Sequence, residues 1–205
     1  WADVKPVIIE DSITSFRSKL QLQNKIIYFY GGNIGHAQDM TNLMRLVKNM
    51  QHLTKAHFLF IGQGDEVELI NELAQQWGLK NYTYLPSVNQ QKFKEILAEV
   101  DVGLFSLSAE HTAHNFPGKL LGYMVQSLPI LGCVNEGNDL KELIDSNKSG
   151  FITINNHEQL LKNSIELYEN PKLRKKLGHG AYELLKNEFS VTAIAANIVK
   201  KLKEQ

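Results

Sequence analysis

The sequence predicts an α/β fold: a Rossmann-like three-layer sandwich with a mostly parallel sheet and helices appended at its C-terminal end. Three observations predict it. About six short apolar segments alternate with segments whose apolar residues recur at helical spacing. Strands joined through helices imply right-handed crossovers and therefore parallel pairing. The strands are apolar along most of their length, as a sheet covered on both faces requires.

The elements follow in order. Residues 25–30 form a first strand that closes on the turn Gly31-Gly32-Asn33-Ile34-Gly35. A helix then presents Met40, Leu43, Met44, Val47 and Met50 on one face. Residues 56–61 make the second strand, ending on Gly62-Gln63-Gly64, and Asp65 and Glu66 open a helix at its electropositive end. A third strand, residues 82–85, stops at Pro86, and Asn89 caps a helix carrying Phe93, Ile96, Leu97 and Val100. Residues 102–105 are the fourth strand. A polar loop from Ser106 to Phe116 leads to Pro117, a favoured first helical residue, and that helix runs to about Gln126. Residues 130–134 and 150–154 are the last two strands, separated by a helix that Asn138 or Asp139 caps. Helices over residues 157–168, 171–187 and 191–202 complete the chain, the last with Val191, Ile194, Ile198 and Leu202 on one side.

Composition narrows the function classes. Lys plus Arg and Asp plus Glu both total 22, so the formal net charge is zero and no global nucleic-acid or membrane footprint is expected. The single cysteine, Cys133, lies in an apolar run and reads as a buried thiol, and one cysteine fits a reducing compartment. No apolar run is long enough for a transmembrane helix. The first residues lack the basic start and apolar centre of a signal peptide, and there is no initiator Met; the expectation is a chain that begins inside a longer or processed protein.

In an open parallel sheet, ligands bind beyond the carboxyl ends of the strands. Four segments there are chemically distinctive. For Gly31 to Gly35, a tight turn and a phosphate- or sugar-binding loop are equally good readings. For Gly62-Gln63-Gly64 and for Tyr84-Leu85-Pro86-Ser87-Val88, a structural turn is the simpler one. The fourth segment, Ser106 to Lys119, carries Glu110, His111, His114, Asn115, Phe116, Pro117 and Gly118. The free N–H groups of its helix start can hold a diphosphate, and Lys119 adds a full positive charge; the competing reading is a surface loop with a solvated lysine. His111 and His114 lack further ligands for a zinc site, so no metal is expected. Walker A, nucleophile-elbow and His-Glu-x-x-His motifs are absent from the sequence.

Taken together, these segments resemble glycosyltransferase family 4, retaining enzymes with the GT-B fold. The likeness is carried by residues 7–16 (VIIEDSITSF), 26–35 (IIYFYGGNIG), 58–64 (FLFIGQG), 98–106 (AEVDVGLFS) and 116–129 (FPGKLLGYMVQSLP). The last is similar to the Pro-Ser-Lys-Leu-x-Glu-Tyr-Met segment of lipopolysaccharide and capsule sugar transferases. The resemblance implies a connector over residues 1–24, with the inter-domain junction at 7–16, a nucleotide-sugar-binding domain over 25–187, and a C-terminal helix over 188–205. It implies that the backbone from Asn115 to Lys119 holds the donor diphosphate, with Phe116, Pro117 and Gly118 between them. It places Leu85, Pro86 and Val88 near the base, and Gly31, Gly32, Asn33, Gly35, Gly62, Gly64 and Ser106 along the phosphate and sugar. His114 falls where many members carry the first Glu of a paired-Glu motif, near the sugar, and with Lys119 is the catalytic candidate.

The sequence departs from that pattern at Gly122, where members place a second Glu on the ribose hydroxyls, and in lacking the Arg and Lys that follow the first strand. Two functions follow. The first is the donor half of a retaining hexosyltransferase that moves a sugar from a UDP-, GDP- or TDP-linked donor to a glycan or lipid-linked acceptor in surface polysaccharide biosynthesis. It needs no further cofactor and binds no nucleic acid. The acceptor sits on a missing N-terminal half, without which this domain is inactive; the enzyme is cytoplasmic, with peripheral membrane contact through that other half. The alternative is a degenerate domain that has become a binding or interaction module.

Overall fold

The computed structural model describes residues 4–8, 15–110 and 116–203. Its strands are β1 (Ile26–Asn33), β2 (Ala56–Gln63), β3 (Tyr82–Pro86), β4 (Val102–Ser106), β5 (Ile130–Val134) and β6 (Gly150–Ile154). They form one sheet of six strands in the order β3-β2-β1-β4-β5-β6, every pair parallel. The helices are α1 (Phe16–Lys19), α2 (Met40–Asn49), α3 (Val67–Gln76), α4 (Gln90–Leu97), α5 (Lys119–Val125), α6 (Leu140–Ser146), α7 (His157–Glu169), α8 (Pro171–Leu184) and α9 (Val191–Lys203). The α/β sandwich expected from the alternation is the fold.

Side-chain alternation divides the core into two. Along β1, Ile27 and Phe29 point to one face, while Tyr28 and Tyr30 point to the other. The first face is covered by residues such as Phe16 of α1, Leu97 of α4, Leu120 and Met124 of α5, Ile144 of α6 and Leu184 of α8. The second is covered by α2, α3 and α7 through Leu43, Val47, Ile70, Leu160 and Leu167. Cys133 is buried on this second side as a free thiol.

Several local expectations shift by a turn or less. Asn89 caps α4 by accepting from the Lys92 N–H at 2.9 Å. At α6 it is the Asn138 carboxamide that caps, accepting from the Leu140 N–H at 3.0 Å; Asp139 makes no side-chain cap. The helix expected over residues 171–187 is α-helical only to Leu184 and then widens into a π turn, Leu185–Phe189. The helix expected to begin at Pro117 begins at Lys119, because the Leu120 N–H bonds back to the Pro117 carbonyl at 3.0 Å in a preceding tight turn.

The segment ahead of β1 is anchored. The Arg17 guanidinium donates to the Glu99 carbonyl at 2.5 Å, the Lys25 carbonyl at 2.7 Å and the Asp101 carboxylate at 2.6 Å. The Glu99 carboxylate receives the Phe16 and Arg17 N–H groups, so an anion sits at the start of α1. Replacing Arg17 with Ala strands partly buried acceptors. The expected cost is about 2 kcal/mol, read as a lower urea midpoint at unchanged slope.

Candidate functional site

The sheet order reverses between β1 and β4, and there the two strands part. They pair only at Tyr28–Val102 and Phe29–Gly103, after which β1 continues on β2 and β4 on β5. Such a switch point leaves a crevice at the carboxyl ends of the strands. Tyr123 of α5 fills its floor. Its buried hydroxyl donates to the Leu104 carbonyl at 2.9 Å and accepts from the Gly31 N–H at 3.3 Å, pairing groups that the splayed strands leave unmatched. Burial pushes this phenol's pKa upward, so it stays protonated and can donate.

Above that floor lies a cleft of about 450 Å³. Gly32 and Gly62 form its sheet side, Ser87 and Val88 its β3–α4 side, and Phe93, Leu97 and Gly122 much of the rest. Both glycine segments were expected as turns. Gly31, Gly32 and Asn33 are instead strand residues of β1, in register with Ile61, Gly62 and Gln63 of β2. The reason is close approach. A Cβ on Gly62 would lie 1.8 Å from the Gly32 carbonyl oxygen, and one on Gly31 would strike the Phe93 ring at 2.5 Å. Gly32 has φ of 115°, and Gly64 has φ of 154° with its Cα packed under the Ile34 carbonyl.

Lys119, the first residue of α5, reaches across this crevice. Its Nζ sits 3.8 Å from the centroid of the Tyr30 ring, and a Cβ on Gly32 would lie 3.8 Å from the same Nζ. The residue as a whole is half-buried, but its ammonium end is desolvated, which pushes the pKa down to about 7. Among the described residues no carboxylate pairs with it. α5 also lacks a side-chain cap. An uncompensated cation, uncapped helix amides and glycine backbone thus meet at one point, an arrangement suited to an anion.

The other residues singled out from sequence are placed as follows. Gly35 lies between the Asn33 amide and the Asp65 carboxylate, and Asn33 itself donates to Gln38 at 2.8 Å on the surface. Leu85 packs on the core beside the cleft, and Pro86 is the last residue of β3, opposite Gly62. Ser106 ends β4, buried, and its hydroxyl has no partner among the described residues. The Phe116 ring packs tilted against Phe189, with 4.6 Å between centroids, while Gly118 is exposed. His111, His114 and Asn115 lie outside the described residues. Among the described residues no group of three His, Cys, Asp or Glu could hold a metal, and no helix is long and apolar enough to cross a membrane.

Sequence reasoning missed Tyr30, Tyr123 and the polar edge of α4. Gln90, Phe93, Lys94 and Leu97 share one face at i, i+3, i+4 and i+7 and all line the cleft. That spacing is visible in the sequence, but Gln90 and Lys94 are polar and fall outside the apolar stripe of Phe93, Ile96, Leu97 and Val100.

The chain is similar to known proteins in sequence and in fold. The chain is 28% identical over 157 residues to the probable glycosyltransferase WbjE of Pseudomonas aeruginosa, covering 74% of this chain and 38% of that protein. It is 30% identical over 89 residues to the putative colanic acid biosynthesis glycosyl transferase WcaI of Escherichia coli K12, covering 42% of this chain and 22% of that one. The chain therefore spans well under half the length of either relative. Among solved structures, Anabaena Alr3699/HepE in complex with UDP and glucose superposes with a TM-score of 0.75 at 15% identity, covering 92% of this chain and 51% of that one. The fold is that of GT-B glycosyltransferases. The family profile described as glycosyl transferases group 1 matches residues 12–184, from the segment that Arg17 anchors through α8. The chain belongs to the glycosyl transferases group 1 family.

Proposed function

We propose that this chain is the donor-binding, C-terminal half of a retaining GT-B glycosyltransferase that uses a nucleotide-sugar. The observation that carries the proposal is Lys119, a desolvated cation without an ion-pair partner among the described residues, held at the switch-point crevice against Gly32. A diphosphate placed there would be met by that ammonium and by the amides at the start of α5. As the bond from sugar to diphosphate breaks, negative charge grows on the leaving phosphate. Donors already aimed at that position stabilise it without reorganising. The proposal assigns no cofactor beyond the donor. UDP is the first nucleotide to test, because the HepE structure holds UDP.

The acceptor is proposed to be a glycan or lipid-linked sugar of a surface polysaccharide, bound by a second domain at the inner face of the membrane. The likeness to the colanic acid transferase supports this class. The isolated donor half is then expected to bind nucleotide without turning it over.

One observation favours a second reading, an interaction module: among the described residues no carboxylate lines the cleft. Calorimetric titration with UDP, GDP and TDP separates the two. Saturable binding of at least one nucleotide supports the donor half. No binding of any of them, by this chain or by a longer one that includes it, removes it.

A further inference from the structure

The two edges of the sheet are guarded differently. An edge strand offers unpaired N–H and C=O groups to any chain that can lie beside it, and proline or charged residues usually blunt it. β3, at one edge, ends on Pro86; β6, at the other, reads Gly-Phe-Ile-Thr-Ile, with neither proline nor charge. The phase of β6 is set at its two ends. The Ser149 carbonyl accepts from the Ile130 N–H at 3.0 Å, and the Asn155 N–H donates to the Val134 carbonyl at 3.1 Å. Backbone groups alternate sides along a strand, so those of Thr153 face β5 and those of Ile152 and Ile154 face away from the sheet. Among the described residues nothing hydrogen-bonds to these outward groups.

A groove of about 590 Å³ follows this edge, lined by all five residues of β6. Ile152 is only 3% exposed, so the edge is recessed between the flanking helices, and both α6 and α7 contribute to the groove. Asn156, Gln159 and Asn163 line the α7 side at i, i+3 and i+7. Asn156 Oδ1 accepts from the Gln159 N–H at 2.8 Å, and Gln159 Nε2 donates to Asn163 Oδ1 at 2.7 Å. That leaves the Gln159 carbonyl oxygen and the amide NH₂ groups of Asn156 and Asn163 to meet a ligand. On the α6 side Lys141 and Asp145 neutralise each other. Lys148, exposed just ahead of β6, has no ion pair among the described residues, so the groove is positive at that end.

Backbone groups in such a recess call for a ligand that carries alternating N–H and C=O groups of its own and is slender enough to enter. A second copy of this chain is not: its β6 lies in the same recess, and the helices of the two copies would meet first. We propose that the β6 groove binds an extended peptide segment of a partner protein, which adds to the sheet as a further strand and carries an acidic side chain at the end lying over Lys148. The site is separate from the crevice between β1 and β4, with β5 between them, and does not depend on what that crevice binds.

The test is selection from a phage library of random linear peptides on the immobilised full chain, followed by amide titration of the ¹⁵N-labelled chain with the selected peptides. They are expected to carry Asp or Glu near one end, to shift the amides of Ile152 and Ile154, and to slow the hydrogen exchange of both. N-methylation of alternate peptide amides reads the backbone pairing: one alternate set should lose binding by about tenfold or more, and the other should keep it. Ile154→Pro removes an outward donor without breaking a bond to β5, and is expected to weaken binding by about tenfold at an unchanged thermal melt. Lys148→Glu is expected to weaken it severalfold. No selected peptide, selected peptides that shift residues elsewhere, or N-methylation that is harmless in both sets overturns the proposal. If Ile154→Pro does not fold, the N-methylated peptides decide. A Lys148→Glu chain that binds acidic peptides as well as the wild type overturns the charge assignment.

Discussion

Replacing Lys119 with alanine is expected to weaken binding of a UDP-sugar by about 10- to 100-fold, the loss of a charge-assisted contact in a desolvated site. The fold should survive, because the ammonium makes no ion pair among the described residues. The same lysine sets a pH dependence. With the free-state pKa pushed down to about 7 by desolvation, the side chain is charged below that pH and neutral above it. A diphosphate binds the charged form, so binding above pH 7 requires proton uptake. Affinity of the wild type should therefore be level below about pH 7 and fall by up to about tenfold per unit above it. A UDP-sugar is the right probe, since its diphosphate diester does not titrate in this range. The Lys119→Ala profile should be flat. A wild-type profile that is also flat would remove the desolvated ammonium from the account.

The second large effect is on stability. Gly62→Ala places a methyl 1.8 Å from the Gly32 carbonyl oxygen, between two central strands whose backbones cannot separate without breaking the β1–β2 ladder. The expected cost is at least about 3 kcal/mol, beyond ordinary overpacking, because the colliding atom is backbone. Denaturant unfolding reads it directly. Gly118→Ala is the matched control: nothing lies within 4 Å of a Cβ there, and its stability should stay within about 0.5 kcal/mol of wild type.

These two residues also mark what the sequence could and could not convey. The strands were legible because each is a short, nearly unbroken apolar run. The helix faces were legible because Met40, Leu43, Met44 and Val47, or Phe93, Ile96 and Leu97, recur at helical spacing. Lys119 was legible as a candidate cation because it follows Pro117 and Gly118 at a helix start. The roles of the glycines were not. A glycine in a turn and a glycine at a strand crossing look alike in sequence; only the Gly62–Gly32 approach shows that the second pair is structural and lies inside the sheet. Tyr123 was equally hidden. It falls on the apolar face of α5, and its hydroxyl matters only because β1 and β4 part beside it, which is a property of register. The seat of the Lys119 ammonium over the Tyr30 ring was hidden likewise, since that ring is 89 residues away in sequence and comes from another element.

The most direct measurement of the central claim is an amide chemical-shift titration of the ¹⁵N-labelled chain with UDP. The account predicts saturable shifts clustered at Gly32, Gly62, Val88, Lys94 and residues 118–122, around the crevice between β1 and β4. Shifts confined to the far edge of the sheet, along β6 and its groove beside Lys148 and Asn156, or no shifts at millimolar UDP, would contradict it.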